Sequence, residues 1–170
     1  MHPLVELAKE AINQYIKNRK IIQPPEILTE EMRSKAGVFV CIKKAECLRG
    51  CIGTFKPATD NVAAEIIKNA IASCTEDPRF YPVQTEELDD LTVSVDVLSE
   101  PEKISYINEL DPKKYGVIVL KGSFSRGLLL PNLDGVDTVE EQLKIVKSKA
   151  QIDINDEDVE IYRFEVRRYN

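Results

Sequence analysis

Apolar positions recur at three- and four-residue steps from the start of the chain. Leu4, Leu7, Ala8, Ala11, Ile12, Tyr15 and Ile16 fall on one side of a helix, and Pro3 suits its first turn. Pro24-Pro25 cannot continue a helix, so residues 21–29 read as an extended connector. Two apolar, β-branched runs follow, residues 37–43 and 47–55, and the polar Lys44-Ala45-Glu46 between them makes a hairpin. Residues 60–74 carry the stripe Val62, Ala63, Ile66, Ile67, Ala70, Ile71, Cys74 of a second helix. Thr59 or Asp60 is its expected cap, and Asp77-Pro78 lies beyond its end. In residues 91–98, Val93, Val95 and Val97 alternate with Thr92, Ser94 and Asp96, as in a strand with one buried face.

The second half repeats these signals. A helical turn is expected near residues 104–110, and strands at 116–121 and 126–130 meet across Gly122-Ser123. Thr138-Val139-Glu140-Glu141 is a capping box for a third helix running through Ala150. Residues 153–158 read as an acidic, solvated loop, and residues 159–169 as one closing strand. Strands do not alternate regularly with helices, so the pattern predicts an α+β fold, mainly antiparallel, with flanking helices. One domain spans residues 1–170, and the proline-bearing stretch 75–90 is the expected passage between two lobes.

Composition narrows the function classes. The chain has 170 residues, 43% hydrophobic and 31% charged, which is globular composition. Its net charge of −6 speaks against nucleic-acid binding, for which Arg163, Arg167, Arg168 and Tyr169 are the sole candidate patch. No apolar run reaches the ~20 residues of a membrane span, and the polar N-terminus does not read as a signal peptide. A cytoplasmic protein with reduced thiols is expected, since Cys41, Cys47, Cys51 and Cys74 match neither a zinc pattern nor a CxxC pair. A metal site across Cys41, Cys47 and Cys51 lacks a fourth ligand, and no cofactor is implied. The single histidine, His2, sits at an end expected to fray, which removes histidine-based triads within the chain.

The chemistry-bearing segment is Leu48-Arg49-Gly50-Cys51-Ile52-Gly53. Along an extended strand, Cys47, Arg49 and Cys51 share one face, and Arg49 lies roughly 7 Å from Cys51, close enough to favour a thiolate or receive an anion. Gly50 and Gly53 weaken a strand, so they mark a bulge or something approaching the backbone. Cys41 and Cys74 sit on apolar stripes and read as core, as Cys51 itself would if it were ordinary filler. A Cys47–Cys51 disulfide is disfavoured, because ~13 Å separates such positions along a strand. Asp77 and Arg79 flank Pro78, where Asp77 organises a turn or joins the site. Arg126, at the mouth of a strand, is a further candidate for an anion, or an exposed arginine beside a turn. Glu46 and Asp96 read as solvated.

The hexapeptide, followed by Thr54-Phe55, resembles the hallmark of the AMMECR family, which includes protein A of the AmmeMemoRadiSam system. The similarity continues through Asp77-Pro78-Arg79-Phe80, Val97-Leu98-Ser99, Tyr115-Gly116-Val117, Arg126-Gly127-Leu128-Leu129-Leu130-Pro131, Gly135-Val136-Asp137-Thr138 and Tyr162-Arg163-Phe164. That resemblance implies an α+β domain of two subdomains, an unsettled activity, and Memo-like and radical-SAM proteins as partners or fusion neighbours. Two departures stand out: Gln151 occupies a position often glycine in that family, and Cys47 lies outside the motif.

Two functions compete. In one, the chain is an enzyme with Cys51 as nucleophile, Asp77 orienting a group or moving a proton, and a small anionic ligand held by Leu48, Arg49, Gly50, Ile52, Gly53, Arg79 and Arg126. In the other it is a non-catalytic module that binds a Memo-like or radical-SAM partner, with Gly50 and Gly53 admitting a partner segment and Arg49 setting charge complementarity.

Overall fold

The first helix, α1 (Pro3–Asn18), forms where the periodicity places it and buries Leu4, Val5, Leu7, Ala8, Ala11, Ile12 and Ile16. Its start does not hang loose: His2 Nδ1 accepts the Leu4 N–H at 3.3 Å, and the imidazole lies 4.2 Å from the Tyr169 ring. The extended connector ends in a short helix that the proline pair concealed, α2 (Glu30–Arg33), capped by the Thr29 hydroxyl and anchored by Met32. This computed structural model describes all 170 residues.

The expected hairpin pairs β1 (Val38–Lys44) with β2 (Cys47–Gly53). Ala45 and Glu46 close it with φ of 48° and 63°, the two left-handed residues of a type I′ turn, without the usual asparagine or glycine. Helix α3 (Val62–Thr75) follows; its cap is Asn61, whose side chain accepts the Ala64 N–H, and not the Thr59 or Asp60 expected. A 3-10 helix, Thr85–Asp90, leads into β3 (Leu91–Leu98), which pairs antiparallel with β1.

A second sheet is built from β4 (Glu102–Lys103), β5 (Gly116–Lys121), β6 (Ser125–Leu129) and β7 (Glu160–Phe164), in the order β4-β7-β5-β6. The expected helical turn is the 3-10 segment Ile107–Glu109. Helix α4 (Val139–Lys149) starts at the predicted capping box, with the Thr138 hydroxyl and the Glu141 carboxylate each accepting the other's backbone N–H. The acidic loop after it is tied in by a buried lysine: Lys147 Nζ donates to the Ile154 and Asp156 carbonyls at 3.1 and 2.9 Å.

The closing strand is two strands. β7 belongs to the second sheet, whereas β8 (Val166–Tyr169) completes the first, in the order β2-β1-β3-β8. Asp96, expected to be solvated, is 1% exposed and accepts two 2.7 Å bonds from the Arg168 guanidinium of β8. That pairing engages Arg168 of the candidate nucleic-acid patch in a bidentate ion pair, with half of its side chain still exposed.

The chain divides into two compact units, Met1–Leu98 with Arg167–Asn170, and Ser99–Val166. Residues 75–90, expected as the passage, lie inside the first. The first core packs Val38, Val40, Ile42, Val93 and Val95 against α1 and α3; the second gathers Val117, Val119, Leu129, Leu143 and Val146. The α+β class is therefore observed, as two antiparallel sheets each with its own helices. No helix is long and apolar enough to cross a membrane.

Candidate functional site

The hexapeptide lies on β2, an edge strand. Its register with β1 is regular from Phe39–Gly53 to Ile42–Gly50, then jumps to Lys43–Leu48, so Arg49 is the extra residue of a β-bulge. The bulge breaks the two-residue alternation that would have set Cys47, Arg49 and Cys51 on one face. Arg49 turns instead to the 3-10 helix, donating from Nε and Nη2 to the two carboxylate oxygens of Glu87 at 3.0 and 2.9 Å. Its Nη1 donates to the Tyr81 carbonyl at 2.9 Å, and Lys44 Nζ reaches the same Glu87 at 3.3 Å. Hydrogen bonding to Arg49, against the opposing effect of burial, draws the Glu87 carboxyl down to about 2.

Cys51 is not a free thiol. It stands opposite Cys41 on the face of the sheet away from the core, with Cα atoms 4.1 Å apart, and the two form a disulfide. The expectation of four reduced thiols, with Cys41 as core filler, fails because β1 alternates strictly. Val38, Val40 and Ile42 take the inner face and leave Cys41 on the outer one. Cys47 is free and exposed; Cys74 is free and buried, as its stripe predicts, and burial pushes its thiol up to about 12.

Both glycines are explained by the chain itself. A Cβ on Gly50 would stand 2.1 Å from the Ser73 carbonyl oxygen of α3, so only glycine lets helix and strand approach this closely. A Cβ on Gly53 would enter the Phe39 ring at 2.2 Å. Gly50 is buried, Ile52 half-buried, and Leu48 exposed.

Sequence reasoning missed the helix face that meets this strand. Glu65, Asn69 and Ser73, at four-residue steps on α3, are all buried, and Asp77 continues the row just past the helix end. Ser73 Oγ accepts the Ile52 N–H at 2.9 Å and donates to the Val40 carbonyl at 2.7 Å, bridging β1 and β2. Asn69 Nδ2 donates to the Val38 carbonyl. Burial would raise the Glu65 carboxyl, but the Thr54 and Thr59 hydroxyls and the Ala58 and Thr59 N–H groups outweigh it and hold it low. Asp77 Oδ2 accepts the Cys51 N–H at 2.9 Å, while Arg79 clamps both Asp77 oxygens at 3.0 and 2.7 Å. The Arg79 guanidinium, against the penalty of burial, keeps Asp77 well below the usual carboxylate range. The signal was available as four polar residues spaced by four beside an apolar stripe.

Leu48, Arg49, Gly50, Cys51, Ile52, Gly53, Asp77 and Arg79 are thus brought together in the first unit. Arg126 lies on β6 of the second. The AMMECR1 family model matches residues 5–169. The chain belongs to the AMMECR1 family. It is similar to a protein of Thermotoga maritima, 56% identical over 170 residues, with 99% of this chain and 97% of that protein covered. A protein of Clostridium acetobutylicum is also 56% identical, over 169 residues, yet those are 36% of its length, so this chain spans about a third of that relative. Among solved structures, the crystal structure of an uncharacterized protein from Pyrococcus horikoshii matches with a TM-score of 0.89 and 38% identity, covering 97% of this chain and 88% of that one. The two-sheet α+β architecture is accordingly the family's.

Proposed function

We propose that this AMMECR1-family chain is a non-catalytic docking module. The margin of β2 and the loop 78–82 form its contact surface, and its partner is a Memo-like or radical-SAM protein, as the family resemblance implies. One observation carries the reading: Tyr81 is 90% exposed while its own carbonyl is held by Arg49. An aromatic side chain left in water on a loop clamped at its backbone is preorganised, and binding it costs little ordering entropy. Arg79, whose side chain is half-exposed beside Asp77, lies two residues before Tyr81 and is, like tyrosine, a residue type that anchors interfaces, while the exposed Leu48 precedes Arg49 on β2. The Clostridium relative, in which the matching region is a minor part of a longer protein, supports a role as one module among others.

The enzymatic alternative finds less support. The Cys51 sulfur is occupied by Cys41, and the Asp77 carboxylate already accepts from Arg79 and the Cys51 N–H, which leaves it a weak proton acceptor at neutral pH. The test is titration of the chain with a Memo-like or radical-SAM protein from the same cell. Tyr81→Ala should weaken binding roughly thirtyfold, a loss of about 2 kcal/mol. Arg49→Glu should abolish binding by releasing the loop, and Cys51→Ser should retain it. Turnover of a substrate that disappears in Cys51→Ser while partner binding is unaffected by Tyr81→Ala would replace the docking reading with the enzymatic one.

A further inference from the structure

We propose that a second site, a cleft between α1 and the 3-10 helix Thr85–Asp90, binds a small zwitterion with an aliphatic side chain, an α-amino acid in chemical class. The cleft has a volume of about 210 Å³. Ile12 and Val93, both core residues, lie at its base, with the half-buried Leu88 and Leu91 beside them. Lys9 and Asn13, one helical turn apart on α1, form one wall, and Asp89 stands on the other. None of these three polar side chains makes a hydrogen bond or ion pair within the chain.

An apolar base between an unpaired ammonium and an unpaired carboxylate is a complementary surface for a molecule with both charges and a hydrocarbon part. The ligand carboxylate meets Lys9 and the Asn13 amide, its ammonium meets Asp89, and its side chain covers Ile12, Leu88, Leu91 and Val93. The volume falls below the ~300 Å³ at which drug-sized ligands begin, so the occupant has few heavy atoms. A singly charged molecule leaves one wall unmatched. The inference is independent of the docking surface, since neither Leu48 nor Tyr81 lines the cleft. The two regions share one element, because the 3-10 helix carries Glu87, clamped by Arg49, immediately before Leu88 and Asp89.

The probe is L-leucine, titrated into the isotope-labelled full chain and followed by amide chemical shifts, with isocaproate and isoamylamine as the arms that lack one charge each. Saturable millimolar binding is expected, with shifts confined to residues 9–13 and 88–93. Each singly charged analogue should bind about tenfold more weakly, the value of one charge-assisted contact. Lys9→Met should lower leucine affinity about tenfold and leave isoamylamine unchanged, while Asp89→Asn should do the same for leucine and spare isocaproate. Tyr81→Ala should bind leucine normally, which separates this site from the docking surface. No saturable shift with leucine, or equal affinity for leucine and both analogues, or leucine binding unaffected by both variants, would overturn the proposal.

Discussion

Both units place an Arg-Gly dipeptide on an edge strand beneath a helix, and they use it differently. In the first, Gly50 of β2 lies under the Ser73 carbonyl of α3; in the second, Gly127 of β6 lies under the Val146 carbonyl of α4, where a Cβ would stand 2.4 Å from that oxygen. The steric reason for glycine is the same. What differs is the helix face: Val146 and Ala150 lay methyl groups over Gly127, whereas Glu65, Asn69 and Ser73 of α3 bond the strands and loops around Gly50. The hexapeptide is thus a packing solution with added polarity. Its distinctive property is backbone that is fixed by side chains: the Ser73 hydroxyl is inserted between β1 and β2 at the Ile52 N–H, and Asp77 holds the neighbouring Cys51 N–H on the outer side of β2, an edge that would otherwise be open to strand addition.

The strongest way to break this comparison is to place a methyl group at both glycines. Gly50→Ala and Gly127→Ala should each lower unfolding stability by more than about 3 kcal/mol, because the obstacle is helix backbone and cannot rotate away. Urea denaturation of the two variants, with tertiary amide spectra to show which unit loosens, checks it. A neutral Gly50→Ala beside a damaged Gly127→Ala would mean that Gly50 is there to admit a ligand or partner.

Most of the fold was legible because it is written in periodicity: α1, α3, α4, the central valine strand and both hairpins stand within a few residues of where the pattern puts them. The losses have specific causes. Tyr162, Phe164 and Val166 keep one alternation across Glu165, and nothing in the pattern shows that this residue separates strands of two sheets. The turn at Ala45-Glu46 carries no left-handed signal, although the apolar runs on either side force the chain to reverse there. The motif's membership was legible, but its geometry was not. A strict two-residue alternation cannot foresee a bulge at Arg49, and composition alone did not reveal that Cys41 faces Cys51 across the pair. Asp96 and the Glu65-Asn69-Ser73 row were missed for one reason: buried polar residues are recognised by their partners, and those lie far off in sequence.

Acid sharpens the contrast between the units next. Glu87 ordinarily titrates near 4.5 and is drawn to about 2 in the folded chain, chiefly by Arg49. Its folded value is the depressed one, so its stabilisation is complete above pH 4.5 and is lost as pH falls from there toward 2. After allowance for solvent screening this is worth about 2 kcal/mol. In the second unit Glu109 and Glu141 are also lowered, by the backbone N–H groups of Tyr106 and Asp137 first, but they are fully exposed. Glu87→Gln should therefore flatten the acid limb of the stability curve in urea titrations from pH 5 to pH 2, and Glu141→Gln should barely change it. Equal slopes in the wild type and Glu87→Gln would show that the Arg49 clamp adds nothing to folding.

The smallest effect concerns how the two helices end. Helix α3 stops at Glu76 with φ of −120°, an ordinary value, and hands the chain to Asp77. Helix α4 ends with Gln151 at φ of 57°, where its N–H donates to the Ser148 carbonyl and the next N–H, of Ile152, donates to Lys147 at 2.8 Å. This is the left-handed closure that glycine serves best, and a non-glycine residue there gives up about 1 kcal/mol. Gln151→Gly should therefore raise stability by about that amount, seen as a higher urea midpoint with an unchanged slope and slower amide exchange confined to α4. Glu76→Gly, at a helix end that needs no such conformation, should lower stability, because it only loosens the unfolded chain. If both glycines shift stability in the same direction, the backbone at Gln151 is not what distinguishes the two helix ends.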